Sequence, residues 1–279
     1  MWIMKKWLDF LHRFTLKMGN DRVRAHSAEA AFFIMMSVFP VLMLLLTLLQ
    51  FTPISQNDVV MAIERVTPFQ VSDLLKPLIS SIYQQSPALL SWSAIVAVWV
   101  AGKGIMGLTD GLNSIHGVIE TRNYFVVRFR AACYTVVMIL ALLVSLVILV
   151  FGYSLQWYLR RLFPILNEYP DTLIIVPLMI AMLILIVLFL AMYMFLPNQK
   201  KTFKSQFPGA VFTAVAWAAF SYAFSIYLDY AVNMSVLYGS LTTLVVVMLW
   251  LYTSMYLLFI GAELNHYIED PDAFDIQSS

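Results

Sequence analysis

The sequence predicts an all-α fold: a polytopic membrane helical bundle of about six transmembrane helices, with the N-terminus and the C-terminus both cytoplasmic. Three observations predict it. Hydrophobic residues make up 61% of the 279-residue chain and charged residues only 12%. Apolar stretches of spanning length recur along it, and Lys and Arg gather on alternate connections. A soluble domain carries about 25% charged residues, so this much apolar surface calls for lipid. The single cysteine, Cys133, excludes an internal disulfide framework.

A spanning helix needs about 20 mostly apolar residues. Stretches that meet this requirement cover 28–50, 89–115, 131–153, 173–196, 208–232 and 241–267. Pro40 lies inside the first and should kink it, since proline removes a backbone donor. Pro197 ends the fourth, Pro208 is placed to open the fifth, and Tyr238-Gly239-Ser240 makes the turn before the sixth. The second stretch is the least plainly apolar, because it holds Lys103, Asp110 and the glycines Gly102, Gly104, Gly107 and Gly111.

Orientation follows from the positive charges, which stay on the cytoplasmic side. Lys5, Lys6, Arg13, Lys17, Arg22, Arg24, Arg122, Arg128, Arg130, Lys200, Lys201 and Lys204 fall on one side. Arg65, Lys76, Arg160 and Arg161 fall on the other. The chain therefore divides into a cytoplasmic or interfacial amphipathic segment (1–27), a six-helix transmembrane domain (28–267) and an acidic cytoplasmic tail (268–279). The domain includes a periplasmic connection, 51–88, with short helices at 57–66 and 72–83. No cleavable signal peptide is expected. Residues 1–18 carry apolar side chains at helical spacing beside Lys5, Lys6, Arg13 and Lys17. They can lie on anionic lipid or pack beneath the helices.

A charge inside a spanning helix costs about 2.5–3.5 kcal/mol on insertion scales, so each one needs a reason. Lys103 and Asp110 are two turns apart on one face, with Gly107 and Ser114 on the same stripe and Asn113 and Thr109 beside it. This strip reads either as a pathway or binding surface, or as a small-residue packing face, Gly107-xxx-Gly111, whose charges pair with other helices. Glu29 stands at the start of the first span, where an acid suits the helix dipole; Arg22, Arg24 or the basic loops could pair with it. Glu263 and Asn265 lie near the end of the sixth. There an acid opposes the dipole, so Glu263 calls for a cation from the loops around Arg122–Arg130 or Lys200–Lys204. Ala210, Ala214 and Ala218 form a packing stripe.

No HExxH zinc motif, phosphate-binding loop or GxSxG elbow is present. His12, His26, His116 and His266 are scattered along the sequence without metal-ligand spacing. No enzymatic activity, cofactor, metal or nucleic-acid partner is therefore expected.

Three segments resemble the YihY/BrkB-type bacterial inner-membrane proteins, some of which carry the label ribonuclease BN. They are AEAAFFIMMSVFP at 28–40, the run from Leu196-Pro197 to Pro208-Gly209-Ala210, and LYGSLTTLVVVMLWLYTSMYLLFIGAELN at 237–265. The resemblance implies a multi-pass protein of the bacterial inner membrane. It marks Glu29, Pro40, Tyr238, Gly239, Trp250, Gly261, Glu263 and Asn265 as positions to watch, with Pro40, Gly107, Gly111, Gly239 and Gly261 as structural or hinge positions. The functions weighed are a transporter or lipid translocator, with a lipid or small solute as substrate and Lys103, Asp110, Asn113, Glu29, Glu263 and Asn265 along its path, and a non-transporting scaffold for envelope assembly. The nuclease label finds no support in these residues. The expected partner is the bilayer itself, with anionic lipid at the cytoplasmic face.

Overall fold

A computed structural model describes residues 2–49, 55–66, 76–77, 79–80, 87–137, 172–231 and 240–274. Tyr238, Gly239, most of the expected span 131–153 and the tail beyond residue 274 lie outside them. The described residues are helical or in turns. We label the helices α1 (Trp2–Asn20), α2 (Val23–Leu49), α3 (Gln56–Val66), α4 (Pro87–Ile115), α5 (124–137), α6 (Thr172–Phe195), α7 (Phe203–Ala231) and α8 (Ser240–Glu269). A 3-10 turn follows at Pro271–Phe274.

The chain forms two compact units. One comprises Met1–Met35, Gly104–Tyr124 and Pro177–Ser279, the other Met36–Lys103 and Phe125–Val176. The boundaries fall within α2, α4, α5 and α6. Two of the described helices, Phe203–Leu228 within α7 and Leu244–Glu269 within α8, are long and apolar enough to cross a membrane. Ala181–Phe195 within α6 is a shorter apolar segment.

The first unit is organised around α6, α7 and α8. Ala210 and Ala214 on α7 are fully buried, so the alanine stripe packs as its spacing predicts. The backbones of α7 and α8 meet at Gly209 and Gly261. A Cβ on Gly261 would collide with the Thr213 hydroxyl and lie 2.6 Å from Tyr193 Oη, and a Cβ on Gly209 would run into the Gly261 carbonyl. Tyr193 of α6 closes the junction: its hydroxyl lies 2.7 Å from Thr213 Oγ1 and donates to the Leu258 carbonyl at 2.7 Å. Outward positions are apolar, among them Leu183, Ile184, Val187, Val215, Leu244 and Leu249. Apolar side chains on this scale facing outward suit a hydrocarbon solvent and not water.

The edges depart from expectation in three places. Helix α2 begins at Val23, one turn earlier than residue 28, because Arg22 (φ 51°) makes the turn out of α1. Glu29 therefore falls in the second turn and does not serve the helix dipole. Helix α7 begins at Phe203 and takes Pro208 inside it. The opening turn is held by Ser205 Oγ, which donates to the Thr202 carbonyl at 3.0 Å, and by Gln206 N–H, which donates to the same carbonyl at 3.3 Å. Helix α4 runs unbroken through its charges and glycines.

Within the first unit, helix α1 packs against the end of α8 and the turn that follows it. Phe10 meets Tyr267 edge-on at 4.9 Å between ring centroids, and Phe14 stacks on Phe274 at 5.8 Å. Met18 is buried. The segment after α8 is thus not simply a solvated acidic tail, because Phe274 is 1% exposed. In the second unit, Ser55 and Asp58 open α3 with a reciprocal cap: Ser55 N–H donates to Asp58 Oδ2 at 2.9 Å, and Asp58 N–H to Ser55 Oγ at 3.3 Å. Lys76 pairs with Glu64 at 2.7 Å.

The α7–α8 junction leaves no room for a methyl group. Gly261→Ala should destabilise the protein by about 1–3 kcal/mol through overpacking, read as a fall of several degrees in the thermal unfolding of the detergent-solubilised chain. Gly19→Ala, where a Cβ would meet nothing within 4 Å, should unfold with the wild type.

Candidate functional site

Two features stand out: a polar cluster in the first unit and an apolar groove in the second. The cluster gathers the ends of α1, α4 and α8 with residues 116–122 and 198–206. Helix α4 stops at Gly117, whose φ of 61° is a glycine conformation. Gly117 N–H donates to the Ser114 carbonyl at 3.0 Å and Val118 N–H to the Asn113 carbonyl at 2.8 Å. This termination sends the chain back so that Glu120 accepts from Asn113 Nδ2 at 3.2 Å. Asn113 Oδ1 accepts the Asn198 N–H at 2.7 Å, tying α4 to the loop after α6. Asn113 is thus a buried structural tie.

Asn265 does the same for α7 and α8. Its Oδ1 accepts the Gly209 N–H at 2.6 Å, and its Nδ2 donates to the carbonyl and to the side-chain oxygen of Gln206, each at 3.1 Å. Gln206 Nε2 in turn donates to Glu269 Oε1 at 2.9 Å. Lys201 Nζ takes the other oxygen, Oε2, at 2.6 Å.

Glu263 is fully buried. The charged groups facing it are Asp21 and Lys17 of the α1 end, not the loop arginines or lysines that sequence reasoning offered. No hydrogen bond of regular geometry reaches either of its carboxyl oxygens among the described residues. Lys17 is ion-paired with Asp21 and donates to the Ile115 carbonyl at 3.3 Å. Ser114 Oγ donates to the Asp21 carbonyl at 3.2 Å. Lys17 therefore links α1, α4 and the surroundings of Glu263, a role that its place on an amphipathic helix does not reveal.

The strip along α4 divides by residue. Gly107 and Gly111 are contact positions against α2 and α8. A Cβ on Gly107 would lie 3.5 Å from Ala30 N, and one on Gly111 2.5 Å from the Phe259 ring and 3.0 Å from His26 Cβ. The packing reading holds for the glycines. Asp110 is exposed, with Glu29 and His26 as its main charged neighbours. Glu29 stands 3.9 Å from His26 Nδ1, so its neighbour is His26 and not Arg22 or Arg24. Lys103 is exposed in the second unit. Trp250 is a packing residue: its indole lies edge-on to Trp217 at 5.7 Å and donates to Ser221 Oγ at 3.3 Å. Pro40 lies inside α2, as expected.

The histidines, scattered in the sequence, do not stay so in the fold. His116 and His266 stack edge-on at 5.2 Å between centroids, with Glu269 beside them. Burial, and next the positive charge of Lys201, depress the His116 pKa to about 3, so this imidazole is uncharged at neutral pH.

The groove in the second unit has a volume of about 550 Å³ and is lined by Val98, Trp99 and Gly102 of α4 and by Phe125, Arg128, Phe129 and Ala132 of α5. Its wall is apolar except for Arg128. That guanidinium stacks on the Trp99 ring, 4.0 Å from the centroid, and donates to the Trp99 carbonyl at 2.7 Å. Neither Lys103 nor Asp110 lines it. Sequence reasoning passed over it, although the signal was present: Trp99-x-x-Gly102 and Phe125-x-x-Arg128-Phe129 each place one face of a helix.

Apolar outward faces, membrane-length helices and a buried polar cluster define an integral helical membrane protein. The chain belongs to the family described as Virulence factor BrkB, which it matches over residues 14–277. It is 31% identical over 258 residues to YfkH, a ribonuclease-like protein of Bacillus subtilis (strain 168), covering 92% of each chain. It is 24% identical over 270 residues to a UPF0761 membrane protein of Aggregatibacter aphrophilus, covering 94% of this chain and 92% of the relative. A UPF0761 membrane protein of Pseudoalteromonas translucida is 31% identical over a shorter stretch of 77 residues. No solved structure matches.

Asn265→Ala should cost about 1–3 kcal/mol, because it leaves the buried Gly209 N–H without an acceptor; thermal unfolding in detergent reads it. A second outcome concerns pH. The Arg122 side chain, hydrogen-bonded to Glu120 at 2.7 and 2.6 Å, holds the Glu120 pKa below 4.5, against a smaller opposing effect of burial. A depressed carboxylate pKa stabilises the fold above the ordinary value and loses that contribution as pH falls through the folded-state value. Arg122→Ala should therefore lower stability at pH 7 and make the loss below about pH 4.5 shallower, as an acid-unfolding series would show.

Proposed function

We propose that this chain is a multi-pass protein of the bacterial inner membrane, with six spans and both ends cytoplasmic, that binds and moves an anionic amphiphile. The observation that carries this reading is the groove of Trp99, Gly102 and Arg128. Its apolar walls suit acyl chain, and its one guanidinium, held over an indole, suits a phosphate. Arg128 belongs to the basic set that the positive-inside rule puts at the cytoplasmic face, where anionic headgroups lie. The exposed rings of Phe125 and Phe129 extend the apolar wall.

The proposal contains no enzymatic step. The ribonuclease-like name belongs to the Bacillus relative, and the groove offers one cation and no carboxylate to catalyse with. Lys103 and Asp110 stand as candidate pathway residues outside the groove, and Glu29 and Glu263 as carboxylates within the first unit.

The test is phosphatidylglycerol binding and movement by the full chain in proteoliposomes. A hydrogen bond to a charged group is worth about 1.5–3 kcal/mol, so Arg128→Gln should weaken phosphatidylglycerol binding about tenfold or more and slow the exchange of labelled lipid between leaflets. Trp99→Ala should act in the same direction. Binding without movement would point to the scaffold role instead. Equal binding and movement in wild type and both variants would defeat the groove reading.

A further inference from the structure

We propose that His116, His266 and Glu269 form a binding site for a divalent transition-metal ion of the zinc type. One ligand atom from each residue lies within 4.8 Å of the other two. The three come from two parts of the sequence: His116 follows the last residue of α4, while His266 and Glu269 are three apart on α8 and share a helix face. The Gly117 turn holds the His116 backbone in place, and its N–H donates to the Leu112 carbonyl at 3.3 Å.

A second observation points the same way. His116 Nδ1 is buried and has no hydrogen-bond partner among the described residues, although buried polar atoms are nearly always paired. Imidazole nitrogen together with one carboxylate is a donor set for zinc, nickel or cobalt, whereas magnesium and calcium take oxygen.

An outer ring of contacts already orients the carboxylate. Gln206 Nε2 donates to Glu269 Oε1, and Asn265 Nδ2 fixes Gln206 by donating to its Oε1. Such outer contacts tune metal affinity. Lys201 Nζ, on Glu269 Oε2, competes with an incoming cation. Bonds of about 2.0–2.2 Å would bring tetrahedral ligand atoms to about 3.4 Å apart. The three side chains must therefore close up by about an ångström, which rotation about their own side-chain bonds provides. An ion held here would clamp the end of α4 to the end of α8. The site is independent of the groove, and either assignment can fail alone.

The test uses the untagged full chain in detergent, with zinc chloride and cobalt chloride as probes. Wild type should retain close to one equivalent of zinc after gel filtration, unfold at a higher temperature with zinc added, and give a cobalt absorption spectrum with nitrogen ligation. His116→Asn and His266→Asn should each weaken zinc binding by at least about 100-fold, since even an outer-shell change costs 10–100-fold. Helical circular dichroism would confirm that both variants fold. Lys201→Gln, which removes the competing cation, should tighten binding several-fold; a looser site in that variant would overturn Glu269 as a ligand. Wild type that retains no zinc, or folded His116→Asn and His266→Asn variants that retain as much as wild type, would overturn the site.

Discussion

The contact between Gly209 and Gly261 is the constraint from which the first unit follows. Two helix backbones meet there with no side chain between them, so the polar groups around them must satisfy one another. Tyr193 reaches Thr213 and the Leu258 carbonyl, and Asn265 caps the Gly209 N–H and holds Gln206. These groups are buried, so no water takes over their bonds. The geometry of α6, α7 and α8 is thus tied to a few hydrogen bonds at one level of the helices, and the polar cluster hangs from the same residues through Gln206 and Glu269.

Much of the fold was legible in the sequence because apolar length and proline placement are local signals. They locate α2, α4, α6, α7 and α8 to within a few residues, and the spacing around Asn57 locates α3. The alanine stripe and the Gly107–Gly111 face pack as small residues at helical spacing should. The edges failed where a local rule met an unseen neighbour. Pro208 looked like a first-turn residue, but Thr202 and Ser205 support an earlier turn. Arg22 gave no sign that it would take the left-handed conformation that ends α1.

The candidate sites were less legible because they depend on pairings between distant segments. For Glu263 the sequence offered cations from two loops, whereas the charged groups that face it in the fold are Asp21 and Lys17 at the end of α1. His116 and His266 are 150 positions apart, and they become neighbours only through the packing of the end of α4 near the end of α8. The groove was missed for another reason. Attention fell on Lys103 and Asp110, the expensive charges, while the guanidinium that lines a cavity came from a loop-proximal helix, where a positive charge is ordinary.

The burial of Phe274 against Phe14 and His266 bears on the order of assembly. Helix α1 precedes α8 in the chain, and its ring contacts with Tyr267 and Phe274 form only once residues 267–274 have left the ribosome. A nascent chain halted within α8 before Tyr267 would therefore lack the contacts of Phe10 with Tyr267 and of Phe14 with Phe274. The turn at Pro271–Phe274 thus acts as a latch, joining the packing of α1 to the far end of α8.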